Sequence, residues 1–88
     1  MPYVSHQRRL ELLDLTEEME QYIDEAVTVG DMNYLVTKLM VMYLEAKGDS
    51  YTTINDVIGI LECAKLEFYR REAIPYEEQK IRQNGDVF

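Results

Sequence analysis

The stretch MNYLVTKLMVMYLEA, residues 32–46, constrains the fold more than any other part of the chain. Leu35, Val36, Leu39, Met40, Tyr43 and Leu44 recur at helical spacing, and Val41 and Met42 carry apolar character round the back. Only Asn33, Thr37, Lys38 and Glu45 interrupt it. A helix that is apolar on nearly every side needs cover on nearly every side. In 88 residues, few other elements exist to supply that cover.

The neighbouring sequence predicts more helices. Ser5 is a cap for a short helix over 6–13, with Leu10 and Leu13 as its apolar side. Asp14-Leu15-Thr16-Glu17 reads as a second cap, so a second helix is expected from Leu15 to near Val27. Leu15, Met19, Tyr22, Ile23 and Ala26 face inward on it; Glu17, Glu18, Glu20, Gln21, Asp24 and Glu25 face water. Gly30 is expected to adopt a left-handed backbone, with Asp31 capping the apolar helix. Gly48 stops that helix, and Asp49 or Ser50 caps the next.

The longest helix is predicted from Tyr51 to about Ala73, with Ile54, Val57, Ile58, Leu61, Ala64 and Phe68 as its core stripe. Ile60, Cys63 and Leu66 give it a second, partly apolar face. Gly59 lies mid-helix, where glycine costs about 1 kcal/mol relative to alanine, and close approach of another helix would account for it. Proline disfavours helical geometry in the residue before it, so the helix is expected to stop at Ile74. Pro75 then opens a short helix ending at Asn84-Gly85, with acidic Glu77 and Glu78 early and Lys80 and Arg82 late. That punctuation predicts a segment that turns back and docks.

These elements describe an all-α fold, a small helical bundle in a single domain, 1–88. Two short N-terminal helices lie within 1–30, a long antiparallel helix pair forms a core hairpin over 31–74, and a short C-terminal helix or tail docks over 75–88. A chain this short buries only about 60% of its unfolded surface and is marginal without further support. Cys63 and His6 are single, so neither an internal disulfide nor a His/Cys metal site can provide that support. The long helix would span about 34 Å and its partner about 22 Å, leaving surface uncovered. A homo-oligomer is the expected remedy.

Charge narrows the function classes. The net charge is −8, and a polyanion is repelled, so direct contact with nucleic acid is not expected. No apolar run reaches the roughly 20 residues of a membrane span. The start lacks the basic-then-apolar order of a secretory signal, and with a free cysteine this points to the cytoplasm. Glu17 and Glu20 form one ExxE pair of the kind that binds Mg²⁺ in helical pyrophosphatases. The second pair fails, because Gly48 follows Glu45 and Lys65 follows Glu62 at that spacing. Cys63 has no histidine at helical spacing to activate it. No enzyme, cofactor or metal is expected.

Aromatic and basic residues concentrate at the chain ends. Tyr3 and Arg8 lie at the start; Tyr69, Arg70, Tyr76 and Lys80 lie near the finish, and the amide of Asn84 joins them as a candidate ligand-binding residue. Arginine forks and tyrosine rings suit a phosphate and a stacked base. Asn33, in the first turn of the apolar helix beside unpaired backbone N–H groups, completes the candidate ligand-binding set. The alternative is that these are rim residues that pair with the acidic second helix.

The blocks MPYV, RR, LLD, GDMNYLVTKL, INDVIGILECAKLEFYRR and PYEEQKIRQNGDVF together resemble a family of small hypothetical proteins of tailed phages. The resemblance spans nearly the whole chain and implies a phage protein in the host bacterial cytoplasm; the family carries no settled activity. One departure is the absence of a proline after Asp14. By analogy with small helical phage proteins, the expected function is a non-enzymatic accessory role. A homo-oligomer would sequester a small phosphorylated, nucleotide-derived ligand and so counter host defence. The alternatives are an acidic module that inhibits a host protein or mimics DNA, and a virion or assembly component.

Overall fold

The structure, a computed structural model, describes residues 4–88, and every regular element among them is helical. The helices are α1 (His6–Glu11), α2 (Leu13–Tyr22), α3 (Val29–Lys47), α4 (Tyr51–Phe68) and α5 (Ile74–Asn84), with a π-helical turn over Tyr69–Ala73. The chain divides into two units at Met42 and Tyr43, inside α3.

The first unit follows the expected order with shifted boundaries. Ser5 caps α1, its Oγ accepting the Arg8 N–H at 3.2 Å. Helix α2 begins at Leu13 rather than Leu15, because the Thr16 N–H already bonds the Leu12 carbonyl at 3.1 Å. Asp14 therefore lies in the first turn instead of capping it. The helix also ends earlier than Val27. Beyond Tyr22, the Asp24 Oδ1 accepts the Ala26 N–H at 2.9 Å, a local turn that competes with helical bonding. Thr28 and Asp31 then bond reciprocally: the Asp31 N–H donates to Thr28 Oγ1, and the Thr28 N–H to Asp31 Oδ2, each at 3.0 Å. This capping box starts α3 at Val29, so Thr28 is the cap and Asp31 its third helical residue. Gly30 sits inside the helix, and among the described residues only Gly48 and Gly85 adopt positive φ.

In the second unit Gly48, at φ 93°, ends α3. Ser50 caps α4 through the Thr53 N–H at 3.1 Å. The expected break at Ile74 does not occur. Ala73 and Ile74 are both right-handed helical, and α4, the π turn and α5 form one continuous helical path. The Ile74 N–H reaches the Tyr69 carbonyl, five residues back. Proline lacks an N–H and crowds the carbonyl four residues earlier, and the widened turn just before Pro75 relieves both problems. Residues 75–84 are thus the end of that path, not a helix that restarts after a break.

Burial departs furthest from expectation. Among the described residues Thr53 alone is buried, and no apolar side chain is. On α3, Leu35, Met40, Tyr43 and Leu44 are half-buried, while Val36 and Leu39 are exposed. On α4, Val57 and Leu61 are half-buried, whereas Ile54, Ile58, Ala64 and Phe68 of the expected core stripe are exposed. A side chain at Gly59 would meet open space among the described residues.

Candidate functional site

The C-terminal half of the expected ligand-binding set assembles through helical geometry. Tyr69 lies at the start of the π turn and donates its hydroxyl to Glu77 Oε1 at 3.1 Å. Eight residues of regular α-helix advance 800°, which leaves the two side chains about 80° out of line. In a π turn each residue advances the helix by less, so the turn brings Tyr69 and Glu77 towards one line. The hydrogen bond to the Glu77 carboxylate, and then its charge, raises the Tyr69 phenol above its ordinary pKa.

Lys80 extends the cluster. Its ammonium lies 5.4 Å from the Tyr76 ring centroid, one turn back. Lys80 and Asn84, with Glu77, Ile81 and the residues from Gly85 to Phe88, line an open groove of about 370 Å³. Gly85, at φ 84°, ends α5 and turns the last residues to form one wall. The Phe88 N–H bonds Asp86 Oδ1 at 2.9 Å. Tyr69, Tyr76, Lys80 and Asn84 thus belong to one connected patch.

The arginines are differently engaged. Arg70 Nη2 contacts both oxygens of Glu67, at 2.8 and 2.9 Å, and Arg71 Nε bonds the same carboxylate. Arg8 Nη1 pairs with Glu11 at 2.8 Å. Arg8 and Asn33 lie in the first unit, away in sequence from the C-terminal patch. The Asn33 carbonyl accepts the Thr37 hydroxyl at 2.8 Å, an ordinary back-bond within α3. Tyr3 lies outside the described residues. A second open pocket, about 570 Å³ and mainly apolar, is lined in the first unit by Val4, His6, Arg9, Leu10, Leu12, Leu13 and Thr16, and contains none of the expected ligand-binding residues.

A family model described as a domain of unknown function, DUF6899, matches residues 1–87. The chain belongs to that family. No curated protein and no solved structure matches it. The features of this DUF6899 chain most relevant to binding are therefore those of its own surface. Among the described residues no three His, Cys, Asp or Glu side chains gather to hold a metal ion. No helix among them is long and apolar enough to cross a membrane.

Sequence reasoning missed Glu67 and Glu77, the carboxylates that engage this set. The Glu67 pairings follow ordinary spacings of three and four residues and were available from the sequence. The Tyr69–Glu77 contact was not, because its spacing of eight depends on the π turn.

Proposed function

We propose that the chain is a non-enzymatic phage accessory protein that works as a homo-oligomer, by binding rather than by chemistry. One observation carries the self-association: among the described residues no apolar side chain is buried. Large apolar groups such as Ile58, Leu66 and Phe68 stand at 60%, 56% and 70% exposure. Burial of apolar surface is the dominant favourable term in folding, so a chain whose described residues bury no apolar side chain gains most by sharing a core. Sedimentation across micromolar concentrations tests this. The expected result is a species heavier than the 10.4 kDa chain; a folded monomer throughout would refute the proposal.

The binding role rests on the C-terminal patch, where Lys80, Tyr76 and Asn84 offer a cation, a ring and an amide to a small phosphorylated, nucleotide-derived ligand. Sequestering such a signal is how the protein would counter host defence. Arg70 retains donors beyond the one nitrogen engaged by Glu67. Calorimetric titration with cyclic dinucleotides and ADP-ribose derivatives should give saturable heat that Lys80→Ala abolishes. Absence of heat with every member of the panel would remove the ligand while leaving the oligomer.

A second reading has its own support. From Leu10 to Thr37 the chain contains Glu11, Asp14, Glu17, Glu18, Glu20, Asp24, Glu25 and Asp31, but no lysine or arginine. All eight are exposed. This acidic surface suits a basic host protein. A host partner captured at low salt and released at high salt, with no heat from nucleotides, would favour it.

A further inference from the structure

One side of α4 is open along its whole length. Thr52, Asp56, Gly59, Cys63 and Leu66 are exposed, and the series continues into the π turn at Arg70. The steps between them alternate four and three, the repeat of a seam between two helices. Buried Thr53 and half-buried Val57 and Leu61 lie on a different side of α4. The open side is also complementary in charge and size about Cys63. Asp56 lies seven residues before it and Arg70 seven residues after; Gly59 lies four before and Leu66 three after.

We infer that this face binds a second copy of the chain, antiparallel, with a two-fold axis passing at Cys63. The inference rests on the self-association proposed above and names one surface for it, the side that holds Leu66; Ile58 and Phe68, five residues either side of Cys63, lie elsewhere on the helix. In this register Asp56 stands beside the partner's Arg70, and the symmetry makes the contact twice. Asp56 makes no ion pair among the described residues. Arg70 engages Glu67 through a single nitrogen, and a guanidinium has five donors to share. Leu66 seats over the partner's Gly59, where the open space noted above receives it. This accounts for a mid-helix glycine whose own side of α4 is open among the described residues. Antiparallel alignment also sets the two helix dipoles head to tail. A parallel copy would instead oppose Asp56 to the partner's Asp56.

The full chain carries its own probe, since Cys63 is exposed and is the only cysteine. A short bismaleimide added to the purified protein should join two copies through Cys63, and Cys63→Ser should abolish the product. Asp56→Arg and Arg70→Asp should each lower the yield about fivefold through two lost pairs. The double variant, Asp56→Arg with Arg70→Asp, should restore it. Circular dichroism on each variant checks that helicity is unchanged. If sedimentation finds an oligomer but Cys63 does not crosslink, or the double variant stays low, this face is wrong and self-association stands. A monomer at every concentration overturns both.

Discussion

At the scale of single residues, the Tyr69–Glu77 contact is the most informative, because it reports on the turn that creates it. The phenol donates to a carboxylate, so its proton is held more tightly in the folded helix than in an unfolded chain. A group whose folded pKa is raised stabilises the fold fully below its unfolded value, here near 10, and loses that contribution as pH climbs through the folded value. Ultraviolet titration should therefore show a tyrosine, Tyr69, that ionises above the ordinary phenol range. Glu77→Gln should return it towards the ordinary range, because a neutral amide adds no charge against the phenolate. If Glu77→Gln leaves the tyrosine titration of the parent protein unchanged, the hydrogen bond is absent in solution.

Among the helical elements, the sequence was most legible where local chemistry decides. Ser5, Gly48, Ser50 and Gly85 act at the positions their residue types suggest. It misled where two local signals compete. Asp14 and Asp31 are good caps, but Leu12 and Thr28 begin the helices, because helical bonding and a reciprocal capping box start earlier. Proline in a helix interior is usually a break. Here the π turn absorbs it, and nothing in residues 69–73 signals that local solution. Pro75→Ala should remove the reason for the turn and let a regular α-helix re-form. Tyr69 should then lose Glu77 and titrate normally, as in Glu77→Gln, while helix content holds or rises. Retention of the late-ionising tyrosine in Pro75→Ala would separate the turn from the proline.

Gly59 links the elements to the seam. Alanine there has room, and helix propensity favours it by about 1 kcal/mol. Gly59→Ala should raise thermal stability when measured at low protein concentration. In the antiparallel pair the added methyl meets the partner's Leu66, so the same substitution should lower the Cys63 crosslinking yield. A gain in stability with unchanged crosslinking would mean the glycine has no partner to accommodate. Of the expected site, the aromatic and basic residues at the C-terminal end were legible because residue type alone marks them. Their carboxylate partners and the groove were not, because these depend on where helical angles place side chains.

For the whole molecule, charge and apolar surface act in opposite directions. Each copy carries −8. Two such charges about 25 Å apart in water repel by on the order of 10 kcal/mol before screening, far more than the two exposed Asp56–Arg70 contacts could return. Association must therefore be driven by apolar burial, which salt does not oppose, against a repulsion that salt removes. The screening length falls from about 30 Å at 0.01 M to about 8 Å at 0.15 M, so most of the opposition is lost over that range. Self-association should strengthen as salt is added, and the melting temperature should rise with protein concentration, as it does when folding and assembly are linked. A basic protein partner or a phosphorylated ligand would respond in the opposite sense, because its attraction is screened by the same ions. Sedimentation at the two salt concentrations thus distinguishes the driving forces: an oligomer that dissociates as salt rises would show that opposite charges, rather than shared apolar surface, hold the copies together.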